Sequence, residues 1–161
     1  MNKRTWLLAA AVLAFGLAGC ATTPAPQSIA DTIAGTPELS TLNKLVNDAG
    51  MADTLRASGP YTLFAPSNDA FKAVPAETMN ALASNKEALK AVLAYHVVQG
   101  KFASSDVTNS NQKTLNGASL ALAKAGTFVT VEDAMVTTAD ITATNGVVHV
   151  VDSVLMPPKK K

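Results

Sequence analysis

Apolar residues recur at two periods along this chain, helical in the first half of residues 28–158 and strand-like in the second. Ser28 opens a short helical turn through Ile33. Thr36-Pro37 then offers an N-cap and a proline at the first helical position. From there Leu39, Leu42, Leu45 and Val46 fall three or four apart, and Gly50 is placed to stop the helix. Met51 to Ala57 predicts a shorter helix carrying Leu55. Tyr61 to Ala65 reads as a strand between Pro60 and Pro66, and Ser67 caps a following helix whose apolar side holds Ala70, Phe71 and Val74. Asn68 and Asp69 favour that helix's positive end. Ser84-Asn85-Lys86-Glu87 has the form of a capping box, ahead of Leu89, Val92, Leu93 and His96 at helical spacing.

After Gly100 the pattern predicts strands at Phe102–Val107, Thr114–Leu115, Leu120–Ala123, Phe128–Val131, Met135–Thr138 and Ile141–Thr144. Asn116-Gly117 and Asn145-Gly146 carry the sequence of type I′ hairpin turns, which need positive φ at both central residues. The run Val147 to Val151 is apolar on both faces and predicts a central strand covered on both sides. Helices first and strands second define an α+β fold. No segment repeats.

The segment ahead of residue 28 has a different character. Lys3 and Arg4 precede thirteen uncharged residues, Trp6 to Ala18, which as a helix would rise about 20 Å and fall short of a hydrocarbon core of about 30 Å. A basic start, a short apolar run and small residues before a cut site are the parts of a secretory signal, here residues 1–19. Leu17-Ala18-Gly19-Cys20 resembles the lipobox of bacterial lipoproteins. That resemblance implies that the only cysteine, Cys20, becomes a lipidated first residue and tethers the protein to a membrane. Residues 20–27 then form the anchor and a proline-bearing spacer. Ala21 replaces the aspartate usual in inner-membrane lipoproteins, so the resemblance points to the outer membrane and periplasm or to the cell surface.

Charge narrows the function further. The chain carries 13 Lys+Arg against 12 Asp+Glu, but residues 21–158 hold 8 and 12, about −4, and the basic character lies in the leader and the tail Lys159–Lys161. A nucleic-acid binder would need a basic stripe interleaved with exposed aromatics, and neither is present. No phosphate loop, GxSxG elbow or HExxH motif occurs. Two histidines and one cysteine do not make a closed zinc site, so no metal, no cofactor and no catalytic residue is expected. Both His96 and His149 lie in apolar stretches and must find hydrogen-bond partners if buried.

Three segments, TLFAPSNDAF (62–71), AYHVVQG (94–100) and NGVVHVVDSVLMP (145–157), resemble the motifs of the fasciclin (FAS1) domain, in family order and spacing over residues 28–158. The resemblance implies helices packed on a twisted antiparallel β-sandwich or wedge. It also marks Phe64, Pro66, Ser67, Phe71, Asn145, Gly146, His149 and Asp152 as structural motif residues, with Phe64 and Phe71 expected to face one core. In some animal members the Tyr-His motif is tied to integrin binding, which makes Tyr95, His96, Val97 and Val98 the candidate contact segment. Two functions remain from different classes. One is a membrane-tethered, non-enzymatic module that adheres to a protein or glycan surface. The other is a small-ligand or polysaccharide-binding domain with a lined groove, which would need exposed rings among Tyr61, Phe64, Phe71, Tyr95, Phe102 and Phe128.

Overall fold

A computed structural model of the chain describes residues 27–158. The leader, Cys20, most of the spacer and the tail Lys159–Lys161 lie outside the described residues. Among those residues the helices come first, α1 (Ile29–Gly35), α2 (Ser40–Asp48) and α3 (Ala52–Arg56), and then the first strand, β1 (Tyr61–Pro66). Helices α4 (Asn68–Ala73), α5 (Ala76–Ser84) and α6 (Lys86–Tyr95) follow. The remaining strands are β2 (Val97–Gln99), β3 (Ser110–Lys113), β4 (Ser119–Ala125), β5 (Phe128–Val131), β6 (Ala134–Ala143) and β7 (Gly146–Val151).

Local chemistry accounts for most helix ends. Ser28 and Asp31 form a reciprocal capping box on α1, and the Ser67 hydroxyl accepts from Ala70 N–H at the start of α4. Gly50 ends α2 with φ +68°, a left-handed conformation open to glycine without penalty. Two assignments shift. Thr36 makes no cap. Its hydroxyl donates to Thr32 O, and the first turn of α2 is held instead by Asn68, whose Oδ1 accepts from Thr41 N–H at 3.0 Å while its amide donates to Pro37 O. At α6 the cap is Asn85, whose side chain accepts from Glu87 and Ala88 N–H, because Ser84 belongs to α5 and donates back to Asn80 O. Helix α5 itself has no strong apolar face to announce it, and it buries no residue completely.

The strands form one seven-stranded sheet in the order β2-β1-β7-β6-β5-β4-β3. All neighbours are antiparallel except β1 and β7, which run parallel from Tyr61↔Gly146 to Pro66↔Val151. The two ends of that order meet: Val98 bridges Thr114, and Leu115 N–H donates to Val97 O at 2.8 Å, so the sheet curls nearly into a barrel. Every residue of β7 is buried, as its two-faced apolar run predicts. One core cluster lies between helices and sheet and contains Leu39, Leu42, Leu63, Ala65, Val148 and Val150. The other gathers Phe64, Val98, Leu120, Leu122, Val131 and Val151 within the curl. Strand alternation therefore separates the two phenylalanines expected to share a core. Phe64 enters the curl, and Phe71 joins the helix side.

The turns depart most from expectation. Asn116-Gly117 sits in a three-residue hairpin loop closed by Thr114 N–H to Ala118 O, with only Gly117 at positive φ (+87°). The hairpin before β7 turns on Thr144-Asn145, between the paired Ala143 and Gly146, and neither Asn145 nor Gly146 has positive φ. Residues 102–107 form no strand. Phe102 N–H donates to Thr62 Oγ1 and Ser104 N–H to Asp140 Oδ1, so side chains satisfy this backbone in place of a ladder. The two predicted strands at 135–138 and 141–144 are one strand, β6, interrupted by register shifts around Asp140 (φ +60°).

Candidate functional site

The Tyr-His segment occupies the junction where α6 runs into β2. Tyr95, His96, Val97 and Val98 are all at most 3% exposed, so the segment marked as a contact surface is interior. Its residues pack at the seam where the curled sheet closes, and the native fold offers them to no partner.

Each buried polar group there is held by a defined atom. His96 caps α6, and its Nδ1 lies 2.8 Å from Val92 O, while Nε2 accepts from Leu155 N–H at 3.0 Å. A carbonyl on one side and an N–H on the other select a single neutral tautomer, protonated at Nδ1. Burial pushes its pKa down to about 4, against a smaller upward pull from Val92 O. His149 is wired with the opposite polarity. Its Nε2 lies 2.8 Å from Phe102 O, its Nδ1 accepts from Asp140 N–H at 3.2 Å, and its ring stacks on Phe64 at 5.5 Å. Burial lowers its pKa as well, opposed by Phe102 O and by the Asp140 charge.

Tyr95 reaches Glu132 Oε1 at 3.2 Å and Ser119 O at 3.3 Å. Burial first, then the Glu132 charge and hydrogen bond, push its phenol up to about 12. The same Glu132 oxygen accepts from Ala121 N–H, and Glu132 sits at φ +53° in the β5–β6 turn. Asp140 is fixed by the Ser104 hydroxyl and N–H, which hold its carboxyl below the usual range. Although Ser104, Asp140 and His149 adjoin, they do not form a nucleophilic relay: the ring bonds backbone atoms, and the serine donates to the acid rather than to the imidazole.

The last motif fastens the N-terminal helices to the sheet. Asn145 Oδ1 accepts from Ile29 N–H at 2.9 Å, and its amide donates to Leu55 O at 2.7 Å and Ala57 O at 3.0 Å. Beside it, a Cβ on Gly146 would stand 1.9 Å from Tyr61 O. Glycine is required there for close approach of β1 and β7 rather than for its φ. Asp152 ends β7 by accepting from Met135 N–H, and Pro66 ends β1 opposite Val151 before the Ser67 cap. Asn145, Asp152 and Ser67 thus fasten neighbouring elements to one another. Asn68, Glu132, Asp140 and Ser104 also hold distant segments together, and these partners lie too far along the chain for a local pattern to show them.

Among the described residues, no buried side-chain nitrogen or oxygen lacks a partner, and no cluster of three or more His, Cys, Asp or Glu is arranged for a metal. Of the six rings considered for a glycan platform, Phe64, Phe71 and Tyr95 are buried and Tyr61 and Phe102 partly so; only Phe128 is largely exposed, at 61%. A cleft lined by stacking rings is therefore not formed. These features define a scaffold whose internal polar groups are committed to architecture. The sequence model described as "Fasciclin domain" matches residues 37–157, and the chain belongs to the fasciclin-domain family. It is 41% identical over 140 residues to "Protein sll1483" of Synechocystis, covering 86% of this chain and 78% of that one. It is 38% identical to "Immunogenic protein MPB70" of Mycobacterium bovis over 135 residues, 81% of this chain and 69% of the relative. It is also 38% identical to "Transforming growth factor-beta-induced protein ig-h3" of Sus scrofa, spanning 86% of this chain but one-fifth (20%) of that protein's length. The FAS1 domain pair of the insect cell adhesion molecule Fasciclin I superposes with a TM-score of 0.61 at 23% identity, covering 73% of this chain and 45% of that chain, and shares the fold.

Proposed function

We propose that this protein is a non-enzymatic adhesion or protein-interaction domain of the bacterial cell envelope, tethered through lipid on Cys20. Its contact face is the outer surface of β4–β6. On that face Phe128 (61% exposed) and Met135 (44%) are the largest uncovered apolar side chains. Strand pairing sets Phe128 opposite Ala125, and Thr130 opposite both Ala123 and Met135, so an uncharged patch lies on one side of the sheet. This clustering is the observation that carries the reading, because exposed apolar groups gathered on one face mark interaction surfaces. One relative supports it: at 36% identity, it is the "Cell surface glycolipoprotein MPB83" of Mycobacterium bovis. The complete internal satisfaction of His96, His149 and Tyr95 supports a role without catalysis.

The test is attachment of bacterial cells displaying the full chain. Phe128→Glu with Met135→Glu should reduce cell–cell or cell–matrix attachment at least several-fold while leaving the melting temperature within a few degrees, since both side chains are exposed. Cys20→Ala should abolish labelling by a palmitate analogue and release the protein from the membrane fraction. Undiminished attachment by the double variant contradicts the contact face, and continued lipid labelling of Cys20→Ala contradicts the tether.

A further inference from the structure

A cavity of about 480 Å³ opens where the end of α3 meets the β6–β7 turn and the chain leaving β2. Arg56 and Lys101 line it with the bend Ser58-Gly59-Pro60, between α3 and β1, and the turn at Thr144-Asn145. Among the described residues, its lining holds two cations and no acid, although residues 21–158 carry a net charge of about −4. The fold keeps these groups in place. Asn145 Nδ2 donates to Ala57 O at 3.0 Å and Gly100 N–H to Pro60 O at 2.8 Å, so the bend is fixed at both ends. Thr62 Oγ1 donates to Gly100 O at 2.8 Å, which pins the residue before Lys101 to β1.

The donors available there specify the ligand. Among the described residues, neither Ser58 nor Gly59 spends its N–H on a backbone acceptor. Successive N–H groups of this kind in a turn form anion-binding concavities. Arg56 is paired through Nε with Asp31 and through Nη1 with Asp53, each at 3.6 Å, and neither aspartate lines the cavity. Its Nη2 is left over, and Lys101 makes no ion pair among the described residues. A carboxylate is best met by two parallel donors on one guanidinium edge, and the Arg56 edges that carry Nε and Nη1 are shared with the aspartates. Single donors from several directions suit instead the three peripheral oxygens of a phosphate. We infer that this cavity binds a phosphate group, as the inorganic ion or on a small ester. Arg56 and Lys101 match its charge, and the Ser58 and Gly59 N–H groups bind its oxygens.

The test is amide NMR of the full chain titrated with inorganic phosphate, glycerol phosphate and acetate at constant ionic strength. Phosphate should shift the Ser58, Gly59 and Lys101 amides along one saturable curve, half-saturated at or below about 10 mM. Glycerol phosphate should move the same amides. An affinity no higher than that of phosphate assigns recognition to the free ion, and a higher one assigns it to an ester. Acetate should bind at least several-fold more weakly. Lys101→Gln and Arg56→Gln should each weaken phosphate several-fold and leave the melting temperature within a few degrees, since both side chains are exposed. If loss of its ion pairs unfolds the Arg56 variant, Lys101→Gln decides. Shifts that fail to saturate by about 50 mM, shifts spread over other lysines, or undiminished affinity in folded Lys101→Gln overturns the site. Acetate binding as tightly as phosphate overturns the phosphate assignment.

Discussion

His96 stands between the carbonyl of Val92, one turn back on α6, and the N–H of Leu155, 59 residues ahead. The ring thereby joins a helix end to the segment leaving the sheet, and only its neutral form fits. A second proton would have to sit on Nε2, where it would face another N–H. His149 makes the mirror arrangement between Phe102 O and Asp140 N–H. At this scale the sequence already shows that each imidazole needs partners, since a polar group in an apolar run is otherwise left unsatisfied at about 1–3 kcal/mol. It does not show that the partners are backbone atoms, because those come from distant loops. His96→Ala should cost about 3 kcal/mol or more in chemical denaturation, from the cavity together with two lost bonds, and should leave attachment by folded protein unchanged. A variant of full stability that no longer attaches would return the histidine to the contact surface.

Elements set by local pattern are legible, and elements set by distant atoms are not. Leu39, Leu42, Leu45 and Val46 repeat at helical spacing, and all four are buried on one face. Val147 to Val151 lack alternation and form a central strand. By contrast, Asn145-Gly146 has the sequence of a tight turn but serves elsewhere: Asn145 binds α1 and the end of α3, and Gly146 lets the β1 backbone approach. Residues 102–107 look extended from composition, yet Thr62 and Asp140 supply their hydrogen bonds, so no strand forms. Helix α5 is not announced by its pattern because it has little to bury. Gly146→Ala should destabilise the protein by about 3 kcal/mol or more, since relief of a 1.9 Å contact with Tyr61 O requires the parallel pair β1–β7 to part. A loss of less than about 1 kcal/mol, read from urea midpoints, would show that the strands separate easily and that the close approach is not structural.

Across the whole molecule, fold and site differ in how far they can be read from sequence. Three motifs in register imply the family, and the curled mixed sheet with helices on one side bears out the α+β assignment. The same motifs suggest a contact segment at Tyr95–Val98, but its four residues close the barrel seam. The Tyr-His residues serve the fold and are hidden by it. What remains accessible is less patterned: the face of Phe128 and Met135, and an open groove lined by Ala88 and Val92 of α6 with Val154 and Met156.

Acid unfolding tests most directly whether the buried histidines are neutral cross-links. An imidazole with a folded pKa below its unfolded value binds fewer protons when folded, so stability rises with pH in that interval. For His96 the interval runs from about 6.5 down to about 4, and His149 is shifted in the same direction. Stability measured in urea should be flat above about pH 7 and then fall by up to about 1.4 kcal/mol per pH unit for each histidine as pH drops below 6.5. The His96→Ala variant should show a shallower slope. A wild-type stability that stays level from pH 7 to pH 4.5, or that increases, would contradict the account.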